Sequence, residues 1–174
     1  MSQQSEIFLN IVWHQHQPWY LDPDSKVSIM PWVRLHGIKD YYDIAWLSRQ
    51  YEGWIQTINL VPSLLEQLQL YNDGTLTDSF LELSRKPASK LTEDEKRQIL
   101  ADFFTGHAPE MVHPFPRYDE LIRKSSGSIE NALKTYRTQD FLDLQVWHNI
   151  AWIDPIWRNN PDYPLKDLIQ KQRD

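Results

Sequence analysis

The chain has 174 residues, 41% of them hydrophobic, which is enough to fill the core of one ordinary domain and too apolar for a disordered segment. Eighteen Lys and Arg against 24 Asp and Glu leave a net charge of -6, which repels nucleic-acid backbones, and the lack of cysteine excludes disulfides, thiolate metal sites and cysteine nucleophiles. No run approaches the roughly 18 apolar residues of a membrane span, and the start MSQQSE lacks the basic residues of a secretion signal, so the expectation is a cytoplasmic protein with no membrane or nucleic-acid partner.

The first predicted element is a strand over residues 6–16, an apolar run rich in β-branched and aromatic residues that ends in HQHQPWY. Period-two alternation sends His14 and His16 to one face and Trp13, Gln15 and Gln17 to the other, until Pro18 ends regular pairing. A loop rich in Asp, Pro and Ser covers residues 21–31. Ile38, Tyr41, Tyr42, Ala45 and Trp46 then recur at helical spacing and predict a helix over 39–51. The run WIQTINLV predicts a second strand over 54–61, stopped by Pro62, with Ser63 as N-cap of a helix that Gly74 closes. Strand, helix, strand, helix implies parallel strands, with ligand-binding groups at their C-terminal ends.

From Leu76 onward no further strand is predicted. Helical patterns cover 77–84, 92–105, 118–124, 128–136, 140–153 and 165–172, and Thr92 with Glu95 forms a capping box. Residues 106–118 carry three prolines and read as a structured loop, and TEDEKR as a solvated helix face. Trp147, Trp152 and Trp157, five residues apart, wind around a helix and are expected in core and inter-helix packing. Two parallel strands cannot make a stable sheet with both faces covered. The chain is therefore expected to be the amino-terminal part of a larger α/β domain: residues 1–75 hold the first two β/α units, 76–174 a helix-rich insertion that continues past the end.

HQHQP, PWVRLHGIKDYYD, INLVPSLLEQL and DLQVWHNIAWIDP, in that order, resemble the amino-terminal region of glycoside hydrolase family 57, above all its amylopullulanase-like members. The resemblance implies an incomplete seven-stranded (β/α) barrel, TIM-like, that acts on α-1,4-linked glucans with retention, as an α-amylase-like hydrolase, glucanotransferase or branching enzyme. Retention needs a Glu nucleophile and an Asp acid. Neither maps onto a residue here, and Glu110 reads as a solvated loop carboxylate. The implied role is part of a sugar-binding cleft, inactive alone, with an α-glucan or maltooligosaccharide as ligand, no cofactor, and the remaining barrel on a longer or separate chain.

His14, His16 and Gln17 fit the family's first motif, whose polar groups line the cleft, and imidazole and amide groups can both donate to and accept from sugar hydroxyls. Trp19 and Trp32 are candidate platforms for pyranose C–H faces, and His36 is a candidate polar group beside Lys39 and Asp40. The structural alternative for each is packing. Two other readings stand beside this one: a non-catalytic glucan-binding or interaction module, and a metal-dependent, deacetylase-like hydrolase. The latter needs a third ligand to join His14 and His16, from Asp22, His36, Asp40, His107 or His113.

Overall fold

A computed structural model describes residues 7–106, 108–160, 162 and 165. The fold is mixed α/β, with two short parallel ladders and many helices. Strand β1 (Val12–Gln15) pairs in parallel with β3 (Thr57–Leu60), and the register sets Trp13 beside Ile58, His14 beside Asn59 and Gln15 beside Leu60. The parallel order expected from the sequence is therefore present. Both strands are shorter than expected, because each can be only as long as its partner. Thr57 N–H donates to Ile11 C=O at 3.1 Å, and the ladder does not extend before it. Residue 56 bonds away from the ladder, since Gln56 Nε2 donates to the Ile44 carbonyl and Gln56 Oε1 accepts from Trp13 Nε1.

The second ladder joins β2 (Val27–Ser28) to β4 (Thr77–Asp78) and corrects the expectation that no strand follows Leu76. Two residues have no readable periodicity. The helix expected from residue 77 accordingly starts later, as α4 (Ser79–Arg85), with Asp78 accepting from Leu81 N–H as its N-cap.

Between the ladders lie α1 (Trp32–Gly37), which no periodicity in the sequence predicts, then α2 (Asp40–Ser48) and α3 (Pro62–Asn72). Ser63 is not the N-cap of α3. Val61 is extended and holds that position, Pro62 takes the first helical site where its missing N–H costs nothing, and the Ser63 hydroxyl donates instead to Gln17 C=O at 3.0 Å. Gln67, fully buried in α3, donates to Pro18 C=O and accepts from Tyr20 N–H, so the segment after β1 is pinned to this helix.

The remaining helices are α5 (Glu93–Asp102), α6 (Ala108–Met111), α7 (Pro116–Ser125), α8 (Ile129–Thr135), α9 (Thr138–Trp152) and α10 (Pro155–Arg158). Residues 106–118, expected as loop, hold α6 and the first turn of α7, which begins at a proline. The helix expected over 165–172 lies, past Leu165, outside the described residues. The capping box at Thr92 and Glu95 is present. Helices α4, α5, α7, α8 and α9 share one core that includes Ile99, Phe103, Tyr118, Leu121, Leu144 and Trp147, each aliphatic member contributing about 1.5–3 kcal/mol by leaving water. The β1–β3 pair has no such cover: Val12, Ile58 and Leu60 are exposed, and Ile7, Phe8 and Leu9 before them are 94%, 88% and 84% exposed.

Candidate functional site

The two faces of β1 meet different surroundings. On one, Trp13 bonds to Gln56, Gln15 is buried, and Gln17 Nε2 donates to the Tyr41 hydroxyl of α2 at 2.8 Å, so this face is turned to the helix. On the other, the rings of His14 and His16 stack with centroids 5.7 Å apart and planes 10° from parallel, and both residues are exposed. Period-two geometry thus holds as far as His16. Asn59, directly across from His14 in the register, is exposed on the same face. Sequence reasoning missed it, although a lone amide in the apolar run INLV was a visible irregularity.

Gln17 belongs to the other face. Besides its bond to Tyr41 it accepts from the Tyr20 hydroxyl at 3.1 Å, which fixes both its amide atoms. Trp19 is 46% exposed. Trp32 and His36, one turn apart on α1, enter an aromatic group with Tyr41 and Trp152: His36 lies 5.8 Å from Trp152 edge to face, 6.0 Å from Trp32 and 6.1 Å from Tyr41. Trp152 is buried, yet its indole N–H has no partner among the described residues. Of the three spaced tryptophans, Trp147 packs on Phe115 and Trp157 on Tyr42, in line with the packing expectation, while Trp152 also touches this candidate site. Tyr41 connects the two groups, since its ring meets His36 and its hydroxyl takes the Gln17 proton.

Carboxylates surround this aromatic group. Asp40 accepts from His36 Nδ1 and from Lys39 Nζ. Burial works to raise its carboxyl, but those two hydrogen bonds outweigh it and hold Asp40 below the usual value. Asp43, one turn on, behaves oppositely. Burial first, then hydrogen bonding to and repulsion from Asp154, push its carboxyl up to about 7. With both ionised, Asp43 Oδ1 is a buried atom with no donor; a proton held between Asp43 and Asp154 supplies one. Asp154 itself is buried and caps α10 through Ile156 N–H.

Among the described residues no three His, Asp or Glu side chains gather as a metal site. His107 lies outside those residues; His113 is bonded to Asp119, and Asp22 to Ser25 and Asp24 N–H. No described helix is long and apolar enough to cross a membrane.

The sequence pattern of glycosyl hydrolase family 57 matches residues 10–174, nearly the whole chain. The chain belongs to that family. This family 57 chain is also similar to a protein of Caldicellulosiruptor saccharolyticus named histidinol-phosphate aminotransferase, with 33% identity over 118 residues, 62% of this chain and 32% of that protein. The chain thus spans about a third of the length of the curated relative it matches. No solved structure matches it.

Proposed function

We propose that this chain forms one wall of the sugar cleft in a retaining α-1,4-glucan-active hydrolase or glucanotransferase, with β1 and β3 as the first two strands of a seven-stranded (β/α) barrel. Residues 1–75 would hold those two β/α units and 76–174 the helical insertion. The observation that carries this reading is the two-sided character of β1. One face is turned to α2, as the outer face of a barrel strand must be, while His14, His16 and Asn59 share the open face that would look into a barrel. A two-stranded parallel sheet with exposed Val12, Ile58 and Leu60 is not a stable end state, and further strands from a longer or separate chain would cover it.

In this reading His14, His16 and Asn59 bond sugar hydroxyls, and Trp32 with His36 offers a stacking edge. Trp19, half exposed, is a platform for a pyranose face, and Gln17 acts by fixing Tyr41 in place. The nucleophile and acid belong to the missing strands. Asp43 and Asp154 do not fill that role: in hydrogen-bond contact they leave no room for the anomeric carbon, which needs carboxyls about 5–5.5 Å apart.

Calorimetry with maltoheptaose, alongside an activity assay, tests the proposal. The chain alone should neither cleave nor transfer maltooligosaccharides above the rate of its His16→Ala variant, and activity well above that control would overturn the reading. Tight binding by the chain alone, abolished by Trp19→Ala or Trp32→Ala, would instead identify a self-sufficient glucan-binding module.

A further inference from the structure

Helices α1, α3 and α4 enclose a cavity of about 520 Å³ that shares no residue with the sugar-facing groups. Its volume falls within the roughly 300–1,000 Å³ of small-molecule sites. Ile38, Leu68, Leu76 and Leu81 supply apolar wall, and Leu76 is buried. Two guanidiniums also line it, and they differ. Arg34 is committed to Asp78 through Nε at 2.6 Å and Nη2 at 3.1 Å, so that pair is neutral. Arg85, in the last turn of α4, is exposed and has no ion-pair partner among the described residues.

Glu82 and Asp73 are turned to other donors. Glu82 accepts from the Thr77 hydroxyl at 2.7 Å, and Asp73 from Thr75 N–H at 3.1 Å. Arg85 thus lines the cavity, beside the aliphatic wall, as a guanidinium with no ion-pair partner among the described residues. Of the polar lining, the Tyr71 and Thr77 hydroxyls already donate to Asp78 and Glu82, which leaves few partners for the hydroxyls of a neutral sugar, and a polyanion would face a single unpaired cation. We propose that this cavity is a second ligand site, for a small monocarboxylate with an apolar body, whose carboxylate pairs with Arg85 while its hydrocarbon part lies against Leu68, Leu76 and Leu81. Guanidinium and carboxylate match as a two-pronged pair, which gives orientation as well as attraction.

The test is titration of the full chain with sodium hexanoate, hexan-1-ol and inorganic phosphate, followed by calorimetry and by chemical-shift changes of the leucine methyls. Hexanoate should bind at least fivefold more tightly than hexanol or phosphate. Arg85→Gln should weaken hexanoate at least fivefold, and Arg85→Lys, which keeps the charge but not the two-pronged geometry, should fall between Arg85→Gln and the parent. Leu81→Trp, which fills the space, should remove binding, with circular dichroism confirming an intact fold, while His16→Ala leaves it unchanged. Equal binding of hexanol and hexanoate, phosphate as tight as hexanoate, hexanoate indifferent to Arg85→Gln, or no hexanoate binding at all would each overturn the proposal.

Discussion

The carboxylate of Asp78 holds the guanidinium of Arg34 across 44 residues of sequence, through contacts of 2.6 and 3.1 Å, and no part of Asp78 reaches solvent. The same carboxylate accepts the Tyr71 hydroxyl and caps α4 through Leu81 N–H. One side chain therefore ties α1, α3 and α4 together. Asp78→Ala strands the Arg34 charge and should cost about 3–5 kcal/mol, read from the urea midpoint. Arg34→Met combined with Asp78→Leu should cost clearly less than Asp78→Ala, because no lone charge is left inside. A double variant as unstable as the single one would show that the capping role of Asp78 outweighs the ion pair.

Features set by neighbours in sequence were legible, and those set by distant partners were not. Alternation alone placed His14 and His16 on one face, and the Thr92 capping box needs only residues three apart. Asn59 gained meaning only when the register put it beside His14. Strand β4 is two residues long and pairs with a strand distant in sequence, Thr77 beside Val27, and the Asp43–Asp154 pair joins positions with no pattern between them. Gln17 was read as a cleft group by motif, while parity along β1 put it with Trp13 and Gln15 on the face turned to α2.

Asn59→Ala offers a test of the open face that is insulated from folding. Asn59 is exposed, so thermal unfolding should move by no more than the roughly 0.5 kcal/mol usual for surface changes. On the proposed function, the maltoheptaose affinity of the completed cleft should fall about fivefold, the worth of one hydrogen bond near 1 kcal/mol. Unchanged affinity would remove Asn59 from the cleft. A matched fall in stability and affinity would make it a structural residue.

Asp43 should make the fold sensitive to rising pH. Its carboxyl is raised from 3.8 to about 7, so as pH climbs through that interval the unfolded chain releases a proton that the folded chain still holds. Stability from this group is full below pH 3.8, declines between there and about 7, and is lost above. Asp43→Asn keeps a neutral group that can donate to Asp154. Its melting temperature relative to the parent should rise steadily from about pH 4 to about 7 and then level off. A constant difference across that range would mean the two carboxyls do not share a proton.

His148 acts in the opposite sense. It is fully buried in α9, stacked on Phe103 at 4.4 Å, with Nδ1 toward the Phe103 carbonyl at 3.2 Å and Nε2 without a partner among the described residues. Burial drives its pKa from 6.5 down to about 4, with Arg34 adding to the shift and Phe103 C=O and Asp78 opposing it. Below pH 6.5 the unfolded chain takes up a proton that the folded chain refuses, so stability falls as pH drops toward 4, by about 3 kcal/mol in all. His148→Phe should abolish that loss, which separates it from the Asp43 effect. The cost at neutral pH should be about 1 kcal/mol, because the Phe103 carbonyl keeps the Tyr118 hydroxyl as a donor and the new ring stays beside the aromatic side chains of Phe80 and Phe103. Urea midpoints at about pH 4.5 and about pH 7 decide it: a variant that loses as much stability on acidification as the parent would place the titrating group elsewhere.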